Sequence, residues 1–199
     1  MLEKIINALE EDKKIYDVAK ETLKKVLNDI ERNYNGELLK EKKREAQKVF
    51  DDTVMASRET HWKICEEVLN DIEEKAKKIV SKPTSPDFIN KVETLKMIKN
   101  PTEAELDLMV ETFKGDYLAS RAMVDAFKGI EDRYFVISYE AVKEKLNIMR
   151  KELKDCFTEG GYSYTYRVLM YQPYMNEHEV FFQSFLNGEF IRKEGFNYV

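Results

Sequence analysis

The sequence predicts an all-α fold: a long antiparallel, coiled-coil-like helical hairpin, a small helical subdomain and an aromatic-rich C-terminal segment. Three observations carry that expectation. The 199 residues include only seven Gly and four Pro, so little interrupts a helix. Apolar side chains recur at three- and four-residue intervals through most of the chain. Charged residues make up 36%, which suits the wet faces of long helices better than a many-stranded sheet.

The hairpin comes first, over residues 1–80. Leu2, Ile5, Ile6, Leu9, Ile15, Tyr16, Ala19, Leu23, Val26, Leu27 and Ile30 form one helical stripe. Glu10 with Lys14 and Glu21 with Lys25 add i,i+4 pairs on the wet side. "NYNG" (Asn33–Gly36) supplies residues that tolerate left-handed backbone and ends this helix. A second helical pattern runs from Glu37 to Val80 with neither Gly nor Pro, a rod of roughly 65 Å.

So short a turn makes the two helices antiparallel partners. Centring it between Tyr34 and Asn35 makes the numbers of facing residues add to about 69, with Ala19 opposite Phe50 and Leu23 opposite Ala46. The first helix then runs out opposite Glu67. Val68, Ile72, Ala76 and Ile79 continue the second stripe beyond it, and predict self-association, most simply as a symmetric dimer. Any kink is expected in the polar stretch "DDTVMASRET" (Asp51–Thr60).

"SKPTSP" (Ser81–Pro86) reads as a linker, and residues 86–157 as a helical subdomain ending in a coiled-coil helix. Ser85 caps a helix with Pro86 at its first position and Ile89, Val92, Leu95 and Ile98 on its apolar face. Thr102 and Glu105 form a capping box for the next, which stops at Gly115. Asp116 caps a third, up to Gly129. "YFVI" (Tyr134–Ile137) is a brief strand or an extended link. Ser138 then caps a helix whose stripe of Val142, Leu146, Met149, Leu153 and Cys156 keeps 4-3-4-3 spacing, a seam about two heptads long. "EGG" ends it.

Residues 158–199 form an aromatic tail with one short helix. They hold 11 of the 22 Tyr and Phe, against three in residues 1–80. Tyr162, Tyr164 and Tyr166 alternate with Ser and Thr, which predicts an extended segment with one aromatic face. Asn176 with Glu179 reads as a capping box for a helix placing Val180, Phe181, Phe185 and Leu186 on one side. These rings either cover the exposed stripe of the long helices or dock on another chain. Packing within the protein or its own oligomer is the expectation, because so much exposed aromatic surface invites aggregation.

Charge narrows the partners. Residues 1–80 carry 17 basic and 19 acidic side chains, residues 81–157 carry 13 and 14, and residues 158–199 carry three and five. No region offers a basic footprint, so neither nucleic acid nor an anionic membrane is an expected partner. The start, "MLEKIINALEEDKK", lacks the pattern of a signal peptide, and no apolar run approaches a membrane span. Two distant cysteines fit reduced thiols in a cytoplasm.

Catalytic signatures are not found. There is no phosphate-binding glycine loop, nucleophile elbow, zinc-protease His pair or di-iron Glu-x-x-His motif. His61 and Cys65 share a helix face four residues apart, and with Cys156 and His178 make four soft ligands. Zinc sites usually show two close ligand pairs, so Cys65 is expected as a buried hydrophobe with His61 at the rim of the stripe. A thiol or metal enzyme centred on His61 and Cys65 is the minor alternative. No cofactor or metal is predicted. Thr102–Lys128 has helix-turn-helix spacing, but the would-be recognition helix balances Asp116 and Asp125 against Arg121 and Lys128, which fits a packed pair instead. Trp62 is expected to pack rather than to bind a ligand.

"LKMIKNPTEAELDLMVETFKGDYLASRAMVDAF" (residues 95–127) resembles a short helical segment of structural-type proteins of Firmicutes prophages. The matching pieces are Thr102 to Glu105, Phe113 to Asp116 and Leu118 to Arg121. The long charged helices ahead of it are similar to phage head-assembly and scaffolding-like proteins, although those often end in a basic coat-binding segment and this tail is acidic. The resemblance implies a non-enzymatic assembly protein, prophage-encoded, with other phage structural proteins among its partners. A cytosolic helical adaptor or regulator unrelated to phage is the alternative.

Overall fold

The structure, a computed structural model, describes residues 1–98, 101–158 and 164–193. It is all-α, as the sequence predicts. In chain order the helices are α1 (Glu3–Asn33), α2 (Gly36–Ser81), α3 (Pro86–Met97), α4 (Glu103–Phe113), α5 (Tyr117–Ala126), α6 (Lys128–Glu131), α7 (Tyr139–Thr158), α8 (Tyr164–Leu169) and α9 (Gln172–Leu186). Two two-residue strands, β1 (Tyr134–Phe135) and β2 (Ile191–Arg192), pair antiparallel, with Tyr134 opposite Arg192.

The turn between α1 and α2 forms where "NYNG" places it. Tyr34 is extended, and Gly36 takes a φ of +58°, which a side chain at that position would strain. Beyond it α2 is unbroken, Asp51–Thr60 included. Exposed i,i+4 pairs support that helix on its wet side, Glu59 with Lys63 at 2.8 Å and Asp71 with Lys75 at 2.7 Å.

The chain divides into two compact units, one of residues 1–70 and 148–175, the other of residues 71–147 and 176–199. The first packs the start of α1, the middle of α2 and the end of α7. Leu2, Ile5, Leu9, Cys65, Leu69, Met149, Leu153 and Leu169 are all buried there. Arg150 Nη2 donates to Asn70 Oδ1 at 3.0 Å, and Trp62 meets Phe157 edge-on at 6.4 Å.

In the second unit three of the predicted caps form. Thr102 and Glu105 make a reciprocal capping box, Asp116 accepts from the Ala119 N–H at 3.0 Å, and Ser138 accepts from the Ala141 N–H at 3.1 Å. Asp116 also accepts from Thr84 and from the Ser85 N–H, both at 3.4 Å, which fastens the linker to the start of α5. Ile72, Ala76, Met123, Ile130, Val142, Leu146, Phe182 and Phe185 make its core.

Several expectations are corrected here. Tyr164–Leu169 is helical rather than extended, so the alternation of Tyr164 and Tyr166 does not build one aromatic face of a strand. Helix α9 begins at Gln172, four residues before the expected cap, and Asn176 lies inside it. Its buried side carries Met175, His178, Phe182 and Phe185, while Val180 is 51% exposed. Ile72 is fully buried and Val68 and Ile79 are half-buried, so the far end of α2 is covered by the chain itself and is not the free stripe expected to drive dimerisation. The helix expected to reach Gly129 ends at Ala126, with the short α6 after it. Tyr162 and the "EGG" stop lie outside the described residues.

The tail from β2 back through α9 closes the second unit. Phe185 packs on Tyr117 with ring centres 5.0 Å apart, and the Gly188 carbonyl accepts from Gly115 N–H and Ser120 Oγ, both at 3.3 Å. Gly188 itself has a φ of +59°, and a Cβ there would lie 3.1 Å from the Gly115 carbonyl carbon. Gly188→Ala is therefore expected to destabilise the fold by about 1–3 kcal/mol in urea titration. Phe182→Ala is expected to cost about 3–5 kcal/mol, while Val180→Ala stays within about 0.5 kcal/mol.

Candidate functional site

The site is built on the hairpin of the first unit, and its register comes from a buried polar pair. Asp12, 1% exposed, accepts a hydrogen bond from Ser57 Oγ at 2.5 Å. The numbers of these two residues add to 69, the register that the turn predicts. His61, one turn along α2, holds its Nδ1 2.8 Å from the Ser57 carbonyl, so that nitrogen carries the proton and donates. The same nitrogen lies 3.6 Å from Asp12 Oδ1, and Nε2 lies 3.6 Å from Glu11 Oε2.

Burial works against Cys65 as a nucleophile. Cys65 is fully buried, and its thiol is pushed up to about 12 by burial, with Cys156 and then Asp12 adding to the shift. A thiol held there stays protonated at neutral pH, whereas a reactive cysteine needs its thiolate. Cys156 is buried nearby in the same unit. His178 belongs to the second unit, where burial and then the Lys145 charge bring it down to about 4. Among the described residues no three His, Cys, Asp or Glu side chains gather in a way that could hold a metal ion.

Beyond the cluster the core stops and the two helices go on. Between residues 13 and 53 Ile30 alone is buried. There α1 and α2 flank an open groove of about 690 Å³, lined by Ile15, Val18, Ala19, Thr22, Leu23 and Val26 from α1. Helix α2 contributes Ala46, Val49, Phe50 and Thr53, so the pairs predicted to face one another share this groove. Glu11 and Lys14 stand at the end nearest the polar cluster. Val18 is 61% and Val49 66% exposed.

Each helix thus carries two apolar stripes. One meets the other helix, with Tyr16 edge-on to Phe50 at 5.9 Å. The second, made of Ile15, Val18, Thr22 and Val26 on α1 with Ala46, Val49 and Thr53 on α2, faces the groove. A helix with two apolar faces is what the interior of a four-helix bundle requires, and a bare hairpin supplies cover for one. Sequence reasoning merged the two stripes into one. The signal was present in Val18 and Thr22, which sit at helical spacing from Ile15 and Val26 but off the main stripe.

The expected contact residues fall elsewhere. Tyr166 is half-buried beside Lys13 of α1, and burial raises its phenol. Tyr164 opens α8. Phe181 is half-buried, edge-on to Phe182 at 5.5 Å and under the Lys145 ammonium at 6.0 Å. Phe185 is core. Comparison with known proteins finds no matching family model, curated protein or solved structure.

Two predictions follow from these groups. Asp12→Ala leaves the Ser57 hydroxyl buried without its acceptor and is expected to cost about 1–3 kcal/mol in urea titration. Adding Ser57→Ala to it is expected to cost little more, so the two changes are strongly non-additive. For His178, the depressed folded value means the unfolded chain binds the extra proton, so stability falls as pH drops from about 6.5 to about 4. The urea midpoint of His178→Met is expected to change less over that window than that of the unsubstituted protein.

Proposed function

We propose that this is a non-enzymatic helical assembly protein that works through protein–protein contacts made by its hairpin. The observation that supports this most is the open groove, a continuous apolar surface at a place where the chain's own core has ended. Apolar patches of this kind on soluble proteins usually mark contact sites. The charged flanks keep the surface soluble until it is covered. The burial of Cys65, which holds its thiol protonated at neutral pH, is consistent with this reading. A setting in prophage particle assembly rests on the resemblance of residues 95–127, and portal, protease or capsid genes beside its gene would support it.

A photoreactive phenylalanine derivative at Val49 tests the contact reading in the native cell. Irradiation is expected to give a covalent product heavier than the 23.6 kDa chain. The same probe at Glu66, exposed on α2 beyond the groove, is the control. No product from position 49, or equal yields from both positions, counts against the groove as a contact surface.

A further inference from the structure

We propose that the occupant of the groove is a second copy of this chain, docked about a two-fold axis parallel to the helices. In that dimer α1 of each copy lies antiparallel against α2 of the other, completing a four-helix bundle. The inference rests on the reading of the groove as a contact surface and names what fills it.

Area is sufficient. About 20 residues of each helix lie beyond the core, roughly 30 Å of length, and two helices side by side are about 20 Å across. The footprint is then roughly 600 Å² per copy and roughly 1,200 Å² in total, at the lower edge of specific stable interfaces. The apolar layers also fit. With the register set by Asp12 and Ser57, Ile15 of one copy stands within one residue of the level of Thr53 of the other, Val18 within two of Val49, and Thr22 within one of Ala46. Ile15 meets the smaller Thr53 and Thr22 the smaller Ala46, while Val18 meets a valine of its own size.

Charge decides between the two ways a hairpin can stack on itself. Helical periodicity puts Lys14, Lys25 and Asp29 on the groove side of α1, and Lys42, Glu45 and Asp52 on the groove side of α2. With the axis parallel to the helices, Lys14 comes within three residues of the level of Asp52 of the other copy, Lys25 within one of Glu45, and Asp29 within two of Lys42. All three pairs are of opposite sign. With the axis perpendicular to the helices, α1 would lie on α1 and α2 on α2. Centred near residue 20 of α1, such a stack sets Lys14 near Lys25, Glu11 near Asp29 and Glu45 near Asp52, all of like sign. Flanking charges set orientation in helical bundles in this way, and here they favour the parallel axis over a perpendicular stack centred on the groove.

Light scattering on the full chain at about 100 µM is expected to give twice 23.6 kDa. Lys25→Glu and Glu45→Lys are each expected to weaken the dimer on the order of tenfold, and the double reversal to recover most of that loss. Circular dichroism confirms that each variant stays helical. A dimer tightened by Lys25→Glu alone would overturn the arrangement, because only the perpendicular axis sets Lys25 against Lys14. A monomer at about 100 µM overturns the proposal outright. If the Val49 probe then captures only a different protein, the contact reading stands and the second copy does not.

Discussion

The hydrogen bond between Asp12 and Ser57 is the contact on which the hairpin's geometry depends. A carboxylate that is 1% exposed has to be satisfied where it lies, and the hydroxyl on the facing helix does it. Sliding one helix by a residue would turn its faces by about 100° and leave that oxygen without its partner. Apolar stripes tolerate small slips, since one aliphatic contact replaces another. A buried polar pair does not, so it selects one register at some cost in stability. From that single alignment follow the facing pairs along both helices, the level of each apolar layer, and the position of every flanking charge.

Burial is concentrated at one end of the hairpin. Leu2 to Asp12 on α1 and Val54 to Leu69 on α2 share a core with the end of α7, and that core contains most of the fully buried side chains of the first unit. Helix α7 has 20 residues, against 31 in α1 and 46 in α2. The third layer therefore ends while the first two continue. Isolated helices gain little from propensity alone and depend on packing of their apolar faces. The distal hairpin is held by one such face and presents the other.

Much of this was legible in the sequence, because the relevant signals are local. The "NYNG" turn, the capping box at Thr102, the caps at Asp116 and Ser138, and the α7 stripe each need only a few neighbouring residues to declare themselves. The tail was harder. Three alternating tyrosines are consistent with a strand, but period two over five residues competes with a helix that needs only one favourable turn, and at Tyr164–Leu169 the helix wins. The buried side of α9 was misplaced by one residue, with Phe181 chosen over Phe182. The rotation of α9 is set by distant partners, with Tyr117 on Phe185 and Gly115 on Gly188, about 70 residues away in the chain. The groove was legible as apolar residues but not as a groove. Whether a stripe is covered depends on where another helix stops, and no local pattern on α1 or α2 contains that length.

The aromatic rings and the aliphatic groove divide the work of burial between them. Phe182, Phe185 and Tyr117 lie inside the second unit, where large rings fill volume and the tail closes on its own chain. Of the twelve residues lining the groove on the hairpin, six (Ile15, Val18, Thr22, Val26, Val49 and Thr53) are branched at Cβ. In a helix such side chains are held close to one χ1 well, or two for threonine, whether or not anything touches them. Covering them costs little conformational entropy, whereas covering methionines or lysines would freeze several torsions each. These groove side chains are therefore held close to one conformation, and covering them would cost little. A chain that needed only to keep these positions soluble would carry charge there, and it carries stiff hydrocarbon instead.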